Sequence, residues 1–288
     1  MPYVFSTINL KGGVGKTTVS VALAEYFASD WNKSVLVIDL DPQTNATVMM
    51  IGEKRWETLN ENGLTIANMF RQALPGEDAT FNFDSARQRN VSDVSGTRNL
   101  DLLPSSLDLI HIQDELVNID RGAFHAITPA SVLSRASRDF LHDYDIVIID
   151  CPPNLGFITQ NGLVISDGYI IPTIPDVLST YGIPQILTRV AAFAEAVSQD
   201  IDPLGIVVTK YQANSNVHRN TVATLNNNDQ YPPVYNSIIK QANQVADAAA
   251  HVSGRNRTYR QKWGYRGLAE DFMGLGDEIL KQIEQDDE

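Results

Sequence analysis

The chain has 288 residues, of which 43% are hydrophobic and 20% charged, so it is long enough for a sizeable core and is neither disordered nor fibrous. No apolar run approaches the roughly 20 residues that a transmembrane helix needs, and the N-terminus lacks the pattern of a signal peptide. A single cysteine, Cys151, excludes a disulfide framework and a metal site of several thiolates. We therefore expect a cytoplasmic protein.

The charge of the chain is unevenly distributed. The formal net charge is −13 at pH 7, which favours solubility and argues against a general binder of polyanions. Residues 205–266, however, contain eight Lys and Arg residues and only two acids, whereas residues 267–288 contain eight acids and one lysine. The interval 205–266 is therefore the part of the chain that best suits a polyanionic partner.

Apolar, β-branched runs alternate with helical patterns along the chain. Strands are predicted at 3–10, 34–39, 145–150, 168–174 and 204–209, and helices at 17–29, 178–198 and 267–284. Continuous apolar strands are typical of a parallel sheet that is buried on both faces. We predict an α/β fold, a doubly wound, mainly parallel sheet with helices on both faces, as one domain over 1–288. The irregular interval 51–98 is predicted to be a surface elaboration of that domain.

The segment LKGGVGKTT at residues 10–18 lies between the first strand and the first helix. Glycines there would also fit a tight turn, but their combination with GKT favours a loop whose backbone N–H groups converge on phosphate oxygens. In such a loop Lys16 reaches the β- and γ-phosphates and the Thr17 hydroxyl ligates Mg²⁺. We predict a site for ATP and Mg²⁺, in which the nucleotide contacts Gly12, Gly13, Val14, Gly15, Lys16, Thr17 and Thr18.

Acidic residues follow two further predicted strands. VIDLDPQTN at 37–45 places Asp39 and Asp41 beyond one strand, and IVIIDCPPNLG at 146–156 places Asp150 beyond another. Ligands of open α/β sheets bind at the carboxyl ends of the strands, so we expect these side chains to face the glycine-rich loop. An acid after a strand is often only a turn former or helix cap. The glycine-rich loop at 10–18, followed by these two acidic segments in this order, instead favours a site for phosphate and magnesium.

The glycine-rich loop departs from the GxxxxGK[ST] pattern, because Leu10 stands at its first glycine position and a second lysine, Lys11, opens the loop. With this deviant Walker A box the chain resembles the ParA and MinD superfamily of ATPases. GLTIANMF at 63–70, RNLDLLPSSLDL at 98–109 and QNGLVISDGYIIPTIPD at 160–176 look like segments of the ParA partition ATPases. The resemblance implies an ATP hydrolase that forms a homodimer with ATP, in which Lys11 contacts the nucleotide held by the partner subunit.

The resemblance also implies roles for individual acids. Asp150 would hold Mg²⁺ through water, Asp39 would support the magnesium shell, and Asp41 would orient or activate the attacking water. Lys11, Lys16 and Asp41 would then form the catalytic set. CPPNLG at 151–156 would be the switch segment that responds to the γ-phosphate, with its cysteine as a small packing residue.

DNA binding in the ParA family is non-specific and falls on a basic C-terminal surface of the ATP dimer. The sequence begins at the strand before the glycine-rich loop, without the helix-turn-helix extension of some plasmid members, so we expect any DNA binding to fall on the ATPase domain. The basic segment 254–266, GRNRTYRQKWGYR, has five cations, two tyrosines, a tryptophan and no acid, which suits phosphate contact. An ordinary solvated basic turn is the alternative. The candidate DNA-binding residues are Arg255, Arg257, Arg260, Lys262 and Arg266.

The resemblance implies a ParB-type or adaptor protein that stimulates hydrolysis, and a cytoplasmic, nucleoid-associated location. Three other functions stay open. A ParA-like ATPase that positions a non-DNA cargo shares all of these motifs. A MinD-like membrane ATPase needs a basic amphipathic C-terminal helix, whereas the acidic C-terminal helix and tail, 267–288, would be repelled by an anionic membrane. An ATP-dependent small-molecule ligase of the same superfamily differs in requiring a small acid for turnover.

Overall fold

The computed structural model describes residues 1–74, 80–117, 129–137, 140–252, 258–265 and 267–286. Within these ranges six strands form one sheet in the order β3-β2-β4-β1-β5-β6, and every neighbouring pair is parallel. The strands are β1 Tyr3–Thr7, β2 Val35–Asp39, β3 Leu100–Leu103, β4 Ile146–Asp150, β5 Gly168–Thr173 and β6 Asp202–Val208. This arrangement, with helices on both faces, confirms the predicted doubly wound α/β fold.

Helices connect most of the strands. In the described part of the chain they are α1 Lys16–Ser29, α2 Asn45–Ile51, α3 Glu53–Glu61, α4 Ile66–Gln72, α5 Phe83–Ala86, α6 Leu109–Val117, α7 Val132–Ser137, α8 Phe157–Val164, α9 Val177–Thr180, α10 Ile183–Val197, α11 Asn216–Asn226, α12 Gln244–Ala248, α13 Tyr259–Trp263 and α14 Leu268–Asp286. The single helix predicted over 178–198 is divided into α9 and α10 by Gly182, since Pro184 suits only the first turn of a new helix. None of the described helices is long and apolar enough to cross a bilayer.

Two apolar cores lie on opposite faces of the sheet. One includes Phe27 of α1, Trp263 of α13 and Phe272 of α14. The other includes Phe70 of α4 together with side chains of α6, α7, α8 and α10. The strands are apolar on both faces because each face is covered by helices.

The interval 51–98 contributes to the second core. Ile66, Ala67, Met69 and Phe70 of α4 are at most 2% exposed. They recur at helical spacing and so form one buried stripe. The prediction of a surface elaboration is therefore wrong for α4, because its apolar side chains pack into the core of the domain.

The register of the sheet brings three strand ends to one level. Asp150 of β4 is paired with Thr7 of β1 on one side and with Asp39 of β2 on the other. The chain leaves β1 towards β2 and β3, whereas β5 and β6 lie on the other side of β1. A ligand crevice is expected beyond the carboxyl ends of the strands, where the direction of winding changes.

Candidate nucleotide-binding site

The loop between β1 and α1 is built around two left-handed glycines. Gly13 and Gly15 have φ angles of +75° and +89°, a conformation that side chains with a Cβ rarely adopt. Val14 between them is fully buried, and its carbonyl oxygen accepts a hydrogen bond of 2.7 Å from the Thr209 hydroxyl. Helix α1 has no acid in its first turn, so the positive end of its dipole stays available to an anion.

Lys16 lies inside this loop and is only 6% exposed. Its ammonium donates to the carbonyl oxygens of Asn9 at 3.3 Å and Lys11 at 3.5 Å. Burial lowers the pKa of Lys16, while the charges of Asp150 and Asp41 oppose that shift. Both hydrogen bonds are long, so phosphate oxygens would replace them readily and supply a stronger, charge-assisted contact.

Asp39 and Asp150 stand side by side on β2 and β4 and are fully buried. Asp150 accepts hydrogen bonds from the hydroxyls of Thr17 at 2.7 Å and Ser20 at 3.0 Å. Burial raises the pKa of Asp150 to about 6, and the charge of Asp41 adds to that rise. Burial also raises the pKa of Asp39, with the charge of Asp150 as the next cause. A divalent cation would relieve both the desolvation and the mutual repulsion of these carboxylates.

Asp150 and the two side chains that hydrogen-bond to it, Thr17 and Ser20, present oxygen atoms, which are the ligands that Mg²⁺ prefers. In the described part of the chain no group of three or more His, Cys, Asp or Glu side chains is arranged to hold a metal ion. Mg²⁺ commonly binds through one or two protein ligands together with nucleotide phosphates. Thr17 and Asp150 would be the protein side of such a shared coordination shell.

Asp39 fixes the loop that carries Asp41. One oxygen of Asp39 accepts the backbone N–H of Asp41 at 3.1 Å, and the other accepts the N–H and hydroxyl of Thr47 at 2.9 and 2.7 Å. The Asp41 carboxylate itself accepts the Gln43 N–H at 2.9 Å, and the Asp41 carbonyl accepts the Ser105 hydroxyl at 2.8 Å. The backbone N–H, the carbonyl and the carboxylate of Asp41 are thus all hydrogen-bonded, and they hold Asp41 at the edge of the site.

Lys11 reaches across to the segment that follows β5. Its ammonium donates to the Ser179 hydroxyl at 2.8 Å and lies 3.6 Å from a carboxylate oxygen of Asp176. The Lys11 side chain is 40% exposed, so it lies at the rim of the site. Lys11 therefore lies at the surface of the loop, whereas Lys16 is buried inside it.

The basic segment 254–266 is described only in part. Arg260 is exposed, and its guanidinium lies 2.9 Å from a carboxylate oxygen of Glu270. This ion pair between exposed side chains is weak and leaves Arg260 accessible to another anion. The predicted DNA contacts outside the described residues are Arg255, Arg257 and Arg266.

Lys262 is buried, and the prediction that it contacts DNA is wrong. Its side chain is 1% exposed, and its ammonium lies 2.7 Å from Glu25 of α1 and 2.7 Å from Asp93. The other Glu25 oxygen accepts the indole N–H of Trp263 at 2.8 Å. Trp263 and Tyr259 are core residues with exposures of 0% and 3%, so they do not offer aromatic support to a phosphate.

A cavity of about 310 Å³ that the sequence did not reveal adjoins the start of α1. It is open to solvent on one side, and the ammonium of Lys210 at its edge donates to the Gly13 carbonyl at 2.6 Å. The same rule that pointed to Asp39 and Asp150 would have pointed here, because Thr209 and Lys210 follow the carboxyl end of β6. The lining residues are Gly15, Thr18, Val19, Thr209, Lys210, Ile239, Lys240, Gln241, Ala242, Val245, Ala246, Ala249 and Phe272.

Solved structures of other proteins share the fold. A plasmid partition protein from Borrelia burgdorferi is 20% identical with a TM-score of 0.67, and 98% of this chain and 99% of that chain are covered. Cobyrinic acid a,c-diamide synthase from Mycobacterium smegmatis, with bound ADP and magnesium, is 23% identical with a TM-score of 0.70, covering 99% and 96%. At such identities the likeness concerns the fold alone.

Sequence relatives cover most of the chain. It is 29% identical over 253 residues to the sporulation initiation inhibitor protein Soj of Bacillus subtilis, covering 87% of this chain and 89% of Soj. It is 29% identical over 214 residues to the chromosome partitioning protein ParA of Myxococcus xanthus, covering 74% and 67%. The AAA domain family matches residues 3–203, which contain the glycine-rich loop and both carboxylate-bearing strands. The chain thus belongs to the AAA domain family and is a P-loop ATPase of the ParA type.

Proposed function

We propose that this ATPase binds ATP with Mg²⁺, dimerises in the ATP-bound state and partitions plasmid or chromosomal DNA through partner-stimulated hydrolysis. The observation that carries the proposal is the convergence of Lys16, Thr17 and Asp150 at the ends of β1 and β4, beneath a loop that Lys11 opens. The names of two similar proteins, a chromosome partitioning ParA and a plasmid partition protein, support partition as the purpose.

The residues of the site divide the work of hydrolysis. Mg²⁺ supplies charge neutralisation on the β- and γ-phosphates. The backbone of residues 12–18 cradles the phosphates, and Lys16 and Thr17 contact them or the ion from within the same subunit. Asp150 would help to hold the ion, Asp39 would support its shell by fixing the loop that carries Asp41, and Asp41 would orient the attacking water. Lys11 acts on the nucleotide of the second subunit.

The cavity beside Gly15 and Thr18 takes the nucleobase and ribose. Replacement of Ala246 by Trp would fill it and is expected to weaken ATP binding at least about tenfold, equivalent to roughly 1.4 kcal/mol. Ala246 is exposed and lines the cavity, so the larger side chain does not disturb the core. Isothermal titration with a non-hydrolysable ATP analogue measures the effect. Ala250→Trp, at an exposed position outside the cavity, is the matched control. Equal ATP affinities of the two variants would show that the nucleobase does not bind in this cavity.

Replacement of Lys11 by Ala is expected to spoil dimerisation and hydrolysis more than ATP binding. The reason is that Lys11 acts across the interface, whereas Lys16 and the loop backbone hold the nucleotide within the subunit. Light scattering with Mg²⁺ and a non-hydrolysable analogue measures the dimer, and titration measures binding. Lys54→Ala, an exposed lysine of α3, is the control. Normal dimerisation and turnover of Lys11→Ala would remove Lys11 from the mechanism.

DNA binding would depend on Arg255, Arg257, Arg260 and Arg266, since Lys262 is engaged in the core. If the dimer neutralises about six phosphates, log K is expected to fall with log[salt] at a slope near −5. Arg255→Glu with Arg257→Glu should flatten that slope and abolish retention on duplex DNA while ATP-driven dimerisation persists. A mobility-shift titration at two salt concentrations measures this, with Lys54→Glu and Lys281→Glu as a control of equal charge change.

Absence of any shift with wild-type protein would favour an ATPase that positions a cargo on another matrix. A ParB-type or adaptor protein with a basic segment would suit the acidic chain, because complementary charge raises the rate of association. The likeness in fold to a diamide synthase keeps a small-molecule ligase as the second candidate. Turnover that requires a small acid and not DNA or a protein partner would favour that candidate. A cytoplasmic, nucleoid-associated location follows from the partition proposal.

A further inference from the structure

Lys11 is held within its own chain by a relay of two side chains. The Lys11 ammonium donates to the Ser179 hydroxyl at 2.8 Å, and that hydroxyl donates to Asp176 at 2.9 Å. The other Asp176 oxygen accepts the Ser179 N–H at 2.7 Å and lies 3.6 Å from the ammonium. Asp176 therefore caps α9 and at the same time counters the charge of Lys11.

The position of Lys11 relative to α9 is fixed by a second connection. The Asn9 side chain accepts the Lys11 N–H at 2.9 Å, and its amide group donates to the carbonyl of Pro172 at 2.8 Å and the hydroxyl of Thr173 at 3.2 Å. Asn9 thereby ties the start of the glycine-rich loop to the end of β5, from which the chain runs directly into Asp176. This arrangement places the backbone of Lys11 within reach of α9.

On the basis of the proposed function, in which Lys11 acts across the dimer interface, we propose that Asp176 and Ser179 are positioning residues that hold Lys11 in the nucleotide-free chain and restrain dimerisation. An ammonium hydrogen-bonded to Ser179 of its own subunit does not reach the nucleotide of another. The contact must break in both subunits when the dimer forms. The free energy of dimerisation is therefore made less favourable by twice the free energy of this contact.

Helix α9 is lightly packed, which suits a contact that opens. Of its four residues only Ser179 is buried. Val177, Leu178 and the following Tyr181 are 72%, 78% and 75% exposed. Few apolar contacts thus oppose a small displacement of α9, and segments of this kind open at low free-energy cost.

The test compares wild-type protein with Ser179→Ala and Asp176→Asn. Asn keeps the helix cap and removes the charge. Analytical ultracentrifugation with Mg²⁺ and a non-hydrolysable ATP analogue measures the dimer dissociation constant. An exposed ion pair changes an equilibrium constant by about twofold, and the contact is lost in both subunits. Each variant is therefore expected to have a dimer dissociation constant about fourfold lower than that of the wild-type protein. Ser179→Thr keeps a hydroxyl and should retain the wild-type value.

The same substitutions in a Lys11→Ala background separate positioning from a general structural effect. Because Asp176 and Ser179 act through Lys11, neither should change the dissociation constant once Lys11 is absent. Wild-type or weaker dimerisation of both single variants, with Lys11→Ala still impaired, overturns the restraint and leaves the proposed function standing. Failure of the wild-type protein to dimerise with the analogue overturns the proposed function itself. Unchanged thermal unfolding midpoints show that the variants are folded.

Discussion

Replacement of Lys262 by Met is expected to lower the free energy of unfolding by about 3–5 kcal/mol. Lys262 is the cation of a buried cluster whose carboxylates, on Glu25 and Asp93, have fully buried side chains. Met matches the length of the aliphatic stem, so the core keeps its volume and loses only the charge. Two carboxylates then stay in a dry environment without their counterion, which is the costly half of breaking a buried ion pair.

Urea denaturation followed by tryptophan fluorescence measures this loss. Lys240→Met is the control, because Lys240 pairs with Asp271 while 58% of its side chain is exposed, and such a pair is worth at most about 1 kcal/mol. A loss below about 1 kcal/mol at neutral pH would mean that the cluster is not an essential part of the core.

Replacement of Asp41 by Ala is expected to reduce ATP turnover at least about tenfold, which corresponds to roughly 1.4 kcal/mol of the activation barrier. The Asp41 carboxylate is held at the edge of the site by the Gln43 N–H, and its backbone is fixed by Asp39 and Ser105. Loss of the carboxylate removes the group that orients water and leaves the phosphate loop intact. ATP binding should therefore persist and the ATP-bound dimer should live longer.

Phosphate release at saturating ATP and Mg²⁺ measures the rate, and titration with a non-hydrolysable analogue measures binding. Asp200→Ala, which removes an exposed carboxylate from the end of the connection after α10, is the control. Turnover of Asp41→Ala at the wild-type rate would assign the orientation of water to another group. Loss of binding together with turnover would instead make Asp41 a structural part of the phosphate loop.

The fold and the centre of the site could be predicted because their signals are local. Five of the six described strands contain apolar, β-branched runs. The rule that ligands lie at the carboxyl ends of strands predicted that Asp39 and Asp150 lie close together, and the two are paired in the sheet. Strand β3 has only four residues, and Asp101 interrupts its apolar run. Such a segment does not differ enough from a loop for its pattern to identify it.

The errors concern contacts between distant parts of the chain. Lys262 stands in a basic segment, and nothing near it suggests burial. Its partners Glu25 and Asp93 are 237 and 169 positions away in the sequence. Trp263 and Tyr259 likewise pack against α1. Charge patterning therefore placed Arg260 correctly at the surface and Lys262 wrongly, because Lys262 is buried in the core.

The strand order also has a consequence for how the protein folds. The site draws on β1, β2 and β4, and β4 pairs with both of the others although it lies more than a hundred residues further along the chain. Parallel pairings at such separations form late, because the entropy of closing a long loop precedes the gain in contacts. The site is complete only when these strands are paired, so ATP stabilises the native state and not its precursors. At a free nucleotide concentration of 100 times the dissociation constant this adds about 2.7 kcal/mol to the unfolding free energy, mainly by slowing unfolding and not by speeding folding.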